Sequence, residues 1–492
     1  MSRCGLLAAA SLGLLLGACS MAPAYQPPPL PIPPAYKEDG PWRPAQPADG
    51  QPRGPWWARF GDADLNRLEP QLDAANPDLA AAVARYDQAR AFAARAESGL
   101  LPQLDAQGEL SANKQSAHRP LRSSGSSQPT YYGANQIGGV ASYEVDFWGQ
   151  IRNQVTAGKA LAQASAAGLA SARLSLETEL ASDYFALRGL DADAKLLDDT
   201  VDAYQKALEL TQRLFDGKLV SSMDVSRAQT QLETARAQAS DVAGRRAMLE
   251  HAVAILVGQP PAAFSLPARP DVAPAPAIPT GLPSDLLQRR PDIASAERQM
   301  MAANAQIGVA RAAFYPSLSI NALGGTQSTD LNLLSAANSF WAVGPNVSLP
   351  IFDGGLLKAQ ESTAWARFRE TSADYRSTVL KAFAEVEDNL AQLHWLGQET
   401  SQEDAAVQAA QHTLDVALNL YRQGADSYLD VVTAQTPLLQ AQQQALDLRT
   451  RRVLAAVGLI RALGGGWDTI DLPSSAQAAK LGQNNVTSRA GL

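Results

Sequence analysis

The sequence predicts an α+β membrane protein, internally duplicated, in which long helical hairpins are joined to four β-strands per chain. Three observations predict it. The two halves repeat one another at an offset of 206 residues. A stripe of apolar residues in steps of three and four runs through long stretches free of proline. Ahead of each stretch lies a pair of segments whose side chains alternate apolar and polar.

Composition sets the limits. A chain of 492 residues can hold two or three ordinary domains or one elongated body. With 46% apolar and 18% charged residues, it is too apolar and too lightly charged for a disordered chain. Beyond residue 20 no run of about 18 uncharged apolar residues exists, which excludes a bundle of membrane-crossing helices. The formal charge of −8 argues against a nucleic-acid partner. Four scattered histidines and two cysteines leave little for a metal site, and no cofactor is expected.

At the N-terminus, Arg3 and the short apolar run Leu6 to Leu16 read as a signal peptide over 1–18. The run ends in Leu16-Gly17-Ala18-Cys19, which resembles a bacterial lipobox, whose cysteine is diacylated and becomes the new N-terminus. The expectation is lipidation at Cys19; the alternative is an ordinary signal peptide with an incidental cysteine. Ser20 follows in place of the aspartate that marks inner-membrane retention in such lipoproteins, so the outer membrane is the expected address. A proline-rich, lipid-anchored tether over 19–60 comes next.

The remainder divides into a first repeat at 61–259, a proline-rich linker at 260–285, a second repeat at 286–466 and a flexible tail at 467–492. Val225, Ala228, Leu232 and Ala235 return 206 residues later as Val431, Ala434, Leu438 and Ala441, Asp224 as Asp430, and Phe215 as Tyr421. No proline interrupts the chain from Pro129 to Pro260 or from Pro350 to Pro437. Each repeat therefore accommodates a helical hairpin, over 150–258 and 355–464, whose first helix spans roughly 100 Å. A filled coiled coil used only as a strut would carry the same stripe.

The strand pairs, over 100–147 and 315–352, separate these readings. Leu104, Ala106, Leu110 and Ala112 alternate with Gln103, Asp105, Gln107, Glu109 and Ser111; Ile137, Ala141, Tyr143 and Val145 alternate with Gln136, Ser142 and Glu144. Leu318 and Ile320 alternate with Ser317, Ser319 and Asn321, and Trp341, Val343 and Val347 with Asn346 and Ser348. One apolar and one hydrophilic face suit a membrane strand, as they suit a half-buried soluble sheet. Open edges are excluded from lipid, so four membrane strands require several chains to pool them, and three copies give twelve. Polar loops over 114–130 and 326–338 are expected outside the cell.

Several motifs together resemble one family. They are Trp56-Trp57 with Phe60-Gly61-Asp62, Asn76-Pro77-Asp78-Leu79, Asp146-Phe147-Trp148-Gly149, Gly281-Leu282-Pro283-Ser284-Asp285, Arg289-Arg290-Pro291-Asp292, Phe352-Asp353-Gly354-Gly355 and Leu463-Gly464-Gly465-Gly466. The chain resembles the TolC-like bacterial outer membrane factors, in the NodT-type lipoprotein branch. This resemblance implies a homotrimer with a twelve-stranded β-barrel continuous with a long twelve-helix α-barrel, belted at its equator by segments near 62–98, 260–312 and the C-terminus. It implies the outer membrane channel of a tripartite efflux pump, with a periplasmic adaptor and an RND-type inner-membrane pump as partners; a duct for type I protein secretion is the alternative. Pro102 and Pro316 fall where belt helices give way to strands, as proline's inability to continue a helix suits.

The resemblance also implies a gate at the periplasmic tip. Matching residue by residue places Asp224 and Asp430 on constriction aspartates, Tyr421 on a tyrosine of a Tyr–Asp–Arg lock, and Leu429 on a hydrophobic ring. Asp426 stands where some members carry arginine and Thr433 replaces a second common carboxylate, so the lock itself is open to question. Both aspartates equally suit N-caps of the returning helices. The histidines lack metalloprotease spacing and no nucleophile elbow or phosphate loop occurs, so no enzyme is expected.

Overall fold

The computed structural model describes residues 20–30, 32–38, 55–116, 131–278, 286–466, 473–474 and 477. The signal peptide, Cys19, residues 281–285 and most of the first interstrand loop and of the tail lie outside them. A 3₁₀ turn at Trp56–Phe60 leads into α1 (Ala63–Ala75) and α2 (Pro77–Ser98), then β1 (Gln103–Lys114) and β2 (Tyr131–Val145). Two long helices follow, α3 (Gln150–Asp216) and α4 (Ser222–Leu256). The second repeat holds α5 (Pro291–Ala312), β3 (Ser317–Ser328), β4 (Ser339–Ser348), α6 (Leu356–Arg422) and α7 (Tyr428–Ala462).

Local chemistry sets these boundaries. Asp62 caps α1 by accepting from the amides of Asp64 and Leu65. Asn76 accepts from Leu79 N at 2.9 Å, with Pro77 at the first helical position, where a missing N–H costs nothing. The two 67-residue helices start alike: Gly149 and Gly355 have φ of 75° and 92°, and an aspartate upstream supplies the cap. Asp146 accepts from Ile151 N and Arg152 N, and Asp353 from Gly355 N and Leu357 N. Those backbone donors hold the Asp353 carboxyl below the usual carboxylate range.

The four strands form one antiparallel sheet in the order β1-β2-β3-β4, leaving β1 and β4 as edges. The helices pack side by side. Toward the strands, α3 packs on α2 and α5, and α5 on α6; toward the far end, α3 packs on α4 and α7, and α7 on α6. The main core lies midway, where Trp56, Phe60, Leu65, Leu68 and Leu72 pack against Tyr184, Phe185, Val253 and Val457. Each fully buried leucine there contributes about 2 kcal/mol of apolar transfer. Among the described residues no helix is long and apolar enough to cross a membrane.

Three local features differ from the sequence expectation. Residues 20–30 and 32–38 of the tether are laid down on the body: Asn304 Nδ2 donates to Pro23 O, and the amides of Lys37 and Glu38 donate to the Glu387 carboxylate. Trp56 and Phe60, placed at the tether's end, are helical and buried, the Phe60 ring against Phe185 and the Trp56 ring against Phe60. β3 continues to Ser328, so the second loop starts later than Thr326, which pairs with Ser339.

Candidate functional site

The site is the wall of a conduit, and it begins with strand register. Ala141 is opposite Leu104, Gly139 opposite Ala106, and Ile137 opposite Gly108. Across the next seam Tyr143 meets Ile320 and Val145 meets Leu318; across the last, Leu318 meets Val347 and Gly324 meets Trp341. All four apolar rows therefore share one face. Gln103, Asp105, Gln107 and Glu109 share the other with Ser142, Gln136, Asn321, Ser319 and Asn346. Among the described residues nothing covers the apolar face: Leu104 is 79% exposed and Trp341 80%. An uncovered apolar face of this height matches a lipid contact.

Pro102 lies between the end of α2 and β1, and Pro316 between the end of α5 and β3. At this level Trp148, just past β2, stacks on Tyr315 with ring centroids 4.6 Å apart and donates through Nε1 to Pro316 O at 2.9 Å. The clasp joins the two repeats where sheet gives way to helices. Arg152 closes the same corner through Asp146 at 3.1 Å.

Midway along, an ionic clamp fastens the first hairpin. Asp191 accepts from Arg188 at 2.7 Å, Arg246 at 2.6 Å and Arg269 N at 2.9 Å. Arg188 and Arg269 also reach Asp64 on α1, and Arg246 holds Glu250 and Leu266 O. Arg290 acts in the second repeat, binding Asp292 and Glu385 at 2.6 Å each and Ala462 O at 3.1 Å. Gly464 lies against Arg289 O and Gly465 against Leu174, with no room for a Cβ at either. Two separate sequence motifs thus meet at one contact.

At the tip, Ser221 is the N-cap of α4 and Ser427 that of α7. Asp224 and Asp430 are therefore not N-caps. They occupy the third helical position and reach back, accepting from the Ser221 hydroxyl at 2.8 Å and the Ser427 hydroxyl at 2.6 Å. The Ser427 hydroxyl bond, with a smaller contribution from Asp426, keeps the Asp430 carboxyl below the usual range. Asp224 also faces Arg227 of its own helix at 3.5 Å. Tyr421 is buried; its ring lies 5.4 Å from that of Tyr428, and its hydroxyl is 3.4 Å from Thr211 Oγ1 rather than beside an arginine. Leu429 is exposed. Within one protomer these residues line two neighbouring turns without a Tyr–Asp–Arg contact. Periodicity could not reveal the clamp, because its members come from α1, α3, α4 and the linker; of the clamp's charged residues on the two long helices only Arg246 recurs 206 residues on, as Arg452.

The sequence profile described as outer membrane efflux protein matches residues 68–259 and 282–465. The chain belongs to the outer membrane efflux protein family. It is 34% identical over 465 residues to the probable efflux pump outer membrane protein TtgC of Pseudomonas putida, across 94% of this chain and 96% of that protein. It is 34% identical over 475 residues to the pyoverdine export outer membrane protein OpmQ of Pseudomonas aeruginosa, across 93% and 96%. The crystal structure of the outer membrane protein VceC from Vibrio cholerae superimposes with a TM-score of 0.78 at 29% identity, covering 85% of this chain and 100% of that one. As an outer membrane efflux protein the chain is a channel and not an enzyme. Its fold is the family's trimeric one, a twelve-stranded β-barrel continuous with a twelve-helix α-barrel. The free edges β1 and β4 are what such closure requires.

Proposed function

We propose that the trimer is a passive duct for small toxic compounds, completed by a periplasmic adaptor and an RND-type inner-membrane pump, and held in the outer membrane through a lipid on Cys19. The observation that carries the duct is the shared register: one sheet with a dry face and a wet face, continuous with helices of 67 residues, supports a water-filled path. The names of TtgC and OpmQ, one an efflux pump component and the other a pyoverdine exporter, support small molecules as cargo. Growth with labelled palmitate tests the anchor; the label is expected on the wild type and lost in Cys19→Ala.

The tip supports a gate at Asp224, Asp430, Tyr421 and Leu429. Three protomers bring six carboxylates from the two aspartates to one opening, where a narrow, poorly hydrated path screens them less than bulk water does. Asp224→Asn with Asp430→Asn is expected to lower cation-over-anion selectivity, read as reversal potential of purified trimers in a planar bilayer under a salt gradient. Tyr421→Phe is expected to raise basal conductance. Absence of any conductance in wild-type trimers would refute the duct, and unchanged selectivity in the double variant would leave the aspartates as helix anchors.

A further inference from the structure

The core midway along the tube contains a carboxylic acid where a leucine would pack. Glu69, on the buried face of α1, is 0% exposed, and among the described residues neither of its carboxyl oxygens has a hydrogen-bond partner. α1 packs on α3 and on the Trp56–Phe60 turn. From α3 comes Glu177, 7% exposed, which accepts from Trp56 Nε1 at 2.9 Å. Asp73 of α1 is also near, and is engaged by Arg173 of α3 at 2.9 Å. The turn's only charged residue, Arg59, points to solvent. Glu69 is thus surrounded by apolar side chains and acidic neighbours, with the one cation of the group already committed to Asp73. An ionised carboxylate in such a place is strongly unfavourable.

We propose that Glu69 and Glu177 form a protonation latch: in their neutral forms they let α1 and the Trp56–Phe60 turn seat against α3, and their ionisation lifts this belt segment from the tube. Burial, reinforced by the charges of Glu177 and Asp73, pushes Glu69 up to about 9. Burial pushes Glu177 up to about 7, against the lowering effect of the Trp56 hydrogen bond. Both folded values are raised, so the seated belt binds protons that the released belt gives up. The stabilisation is complete below the ordinary carboxylate range and is lost as pH rises, through about 7 for Glu177 and about 9 for Glu69. The belt of the tube therefore tightens as its surroundings acidify. Neither the strands nor the tip takes part.

Hydrogen exchange on full-length trimers in detergent tests this, with protection factors corrected for intrinsic exchange rates. Between pH 7 and 8.5, protection of the α1 amides in the wild type is expected to fall about tenfold per pH unit, the slope for one proton released on opening. In Glu69→Gln it is expected to stay flat, while amides of α6 near Leu390 stay flat in both proteins. Should Glu69→Gln fail to assemble, Glu69→Met provides the same comparison, since it fills the site without a titrating group. Parallel α1 profiles in wild type and variant, or a flat wild-type profile, would overturn the latch.

Discussion

The two helical hairpins descend from one unit and are fastened differently. In the first, Arg188, Asp191, Arg246 and Glu250 form a clamp that α1 and the linker complete through Asp64, Leu266 and Arg269. The positions 206 residues on are His394, Gly397, Arg452 and Ala456. Only the arginine has been kept, and Arg452 Nε is buried without a hydrogen-bond partner among the described residues. The second hairpin relies instead on Arg290, which ties α6 to the end of α7 near the belt. Duplication supplied two equal staves; the linker and α1 then locked one of them. Among the described residues the second hairpin is therefore held by fewer buried ion pairs than the first.

The largest expected effect therefore falls on the clamp. Asp191→Ala removes the carboxylate, only 1% exposed, that Arg188 and Arg246 share, leaving Arg188 with Asp64 and Arg246 with Glu250. Removing one partner of a buried ion pair costs about 3–5 kcal/mol. Arg452→Ala in the second hairpin is expected to cost well under half as much. Urea unfolding of trimers, followed by a probe in each hairpin, compares them; equal losses would erase the proposed difference in fastening.

The strand hairpins give the opposite expectation, because register makes them alike. Ile137 in the first and Val347 in the second lie on the same uncovered face. A lysine at Ile137, near the middle of β2, is expected to cost about 2–4 kcal/mol, and one at Val347, a residue from the end of β4, less, because the penalty falls toward the membrane interface. Lysine at Gln107 or Ser348, on the wet face, is expected to be far milder. Folding titrations into lipid vesicles give the comparison, and equal penalties on the two faces would refute the lipid-facing assignment.

What the sequence made legible follows period and punctuation. The alternation of Leu104 with Gln103, or Ile137 with Gln136, foretold faces that the pairing joins across all four strands. The heptad stripe and the absence of proline foretold the long helices, which end at Asp216 and Arg422. Residues whose roles depend on distant partners were less visible. Asp224 and Asp430 could be matched to a constriction, but their reach back to Ser221 and Ser427 depends on where the helices begin, and helix starts are poorly fixed by pattern. Tyr36, deep in a core formed by Val386, Leu390 and Leu459, stood in a stretch whose prolines suggested only a tether. Burial of a single carboxyl such as Glu69 leaves no periodic signature in the sequence.

The smallest expected effect concerns the tip turns, whose helix-closing backbone bonds repeat. Lys218 N donates to Phe215 O and Leu219 N to Leu214 O; 206 residues on, Gly424 N donates to Tyr421 O and Ala425 N to Leu420 O. Both turns close their helix with a residue of positive φ, 60° at Lys218 and 73° at Gly424. Lysine meets a Cβ clash in this conformation that glycine avoids, at a cost of about 1 kcal/mol, partly offset because glycine has more freedom to lose on folding. Lys218→Gly is therefore expected to stabilise the first tip by at most about 1 kcal/mol, and Gly424→Ala to destabilise the second by about that much or slightly more. Protection of the tip amides against hydrogen exchange reads both changes. Opposite signs would show that the tips share one backbone geometry and that the hairpins differ in their fastening; the same sign would place part of the asymmetry in the turns themselves.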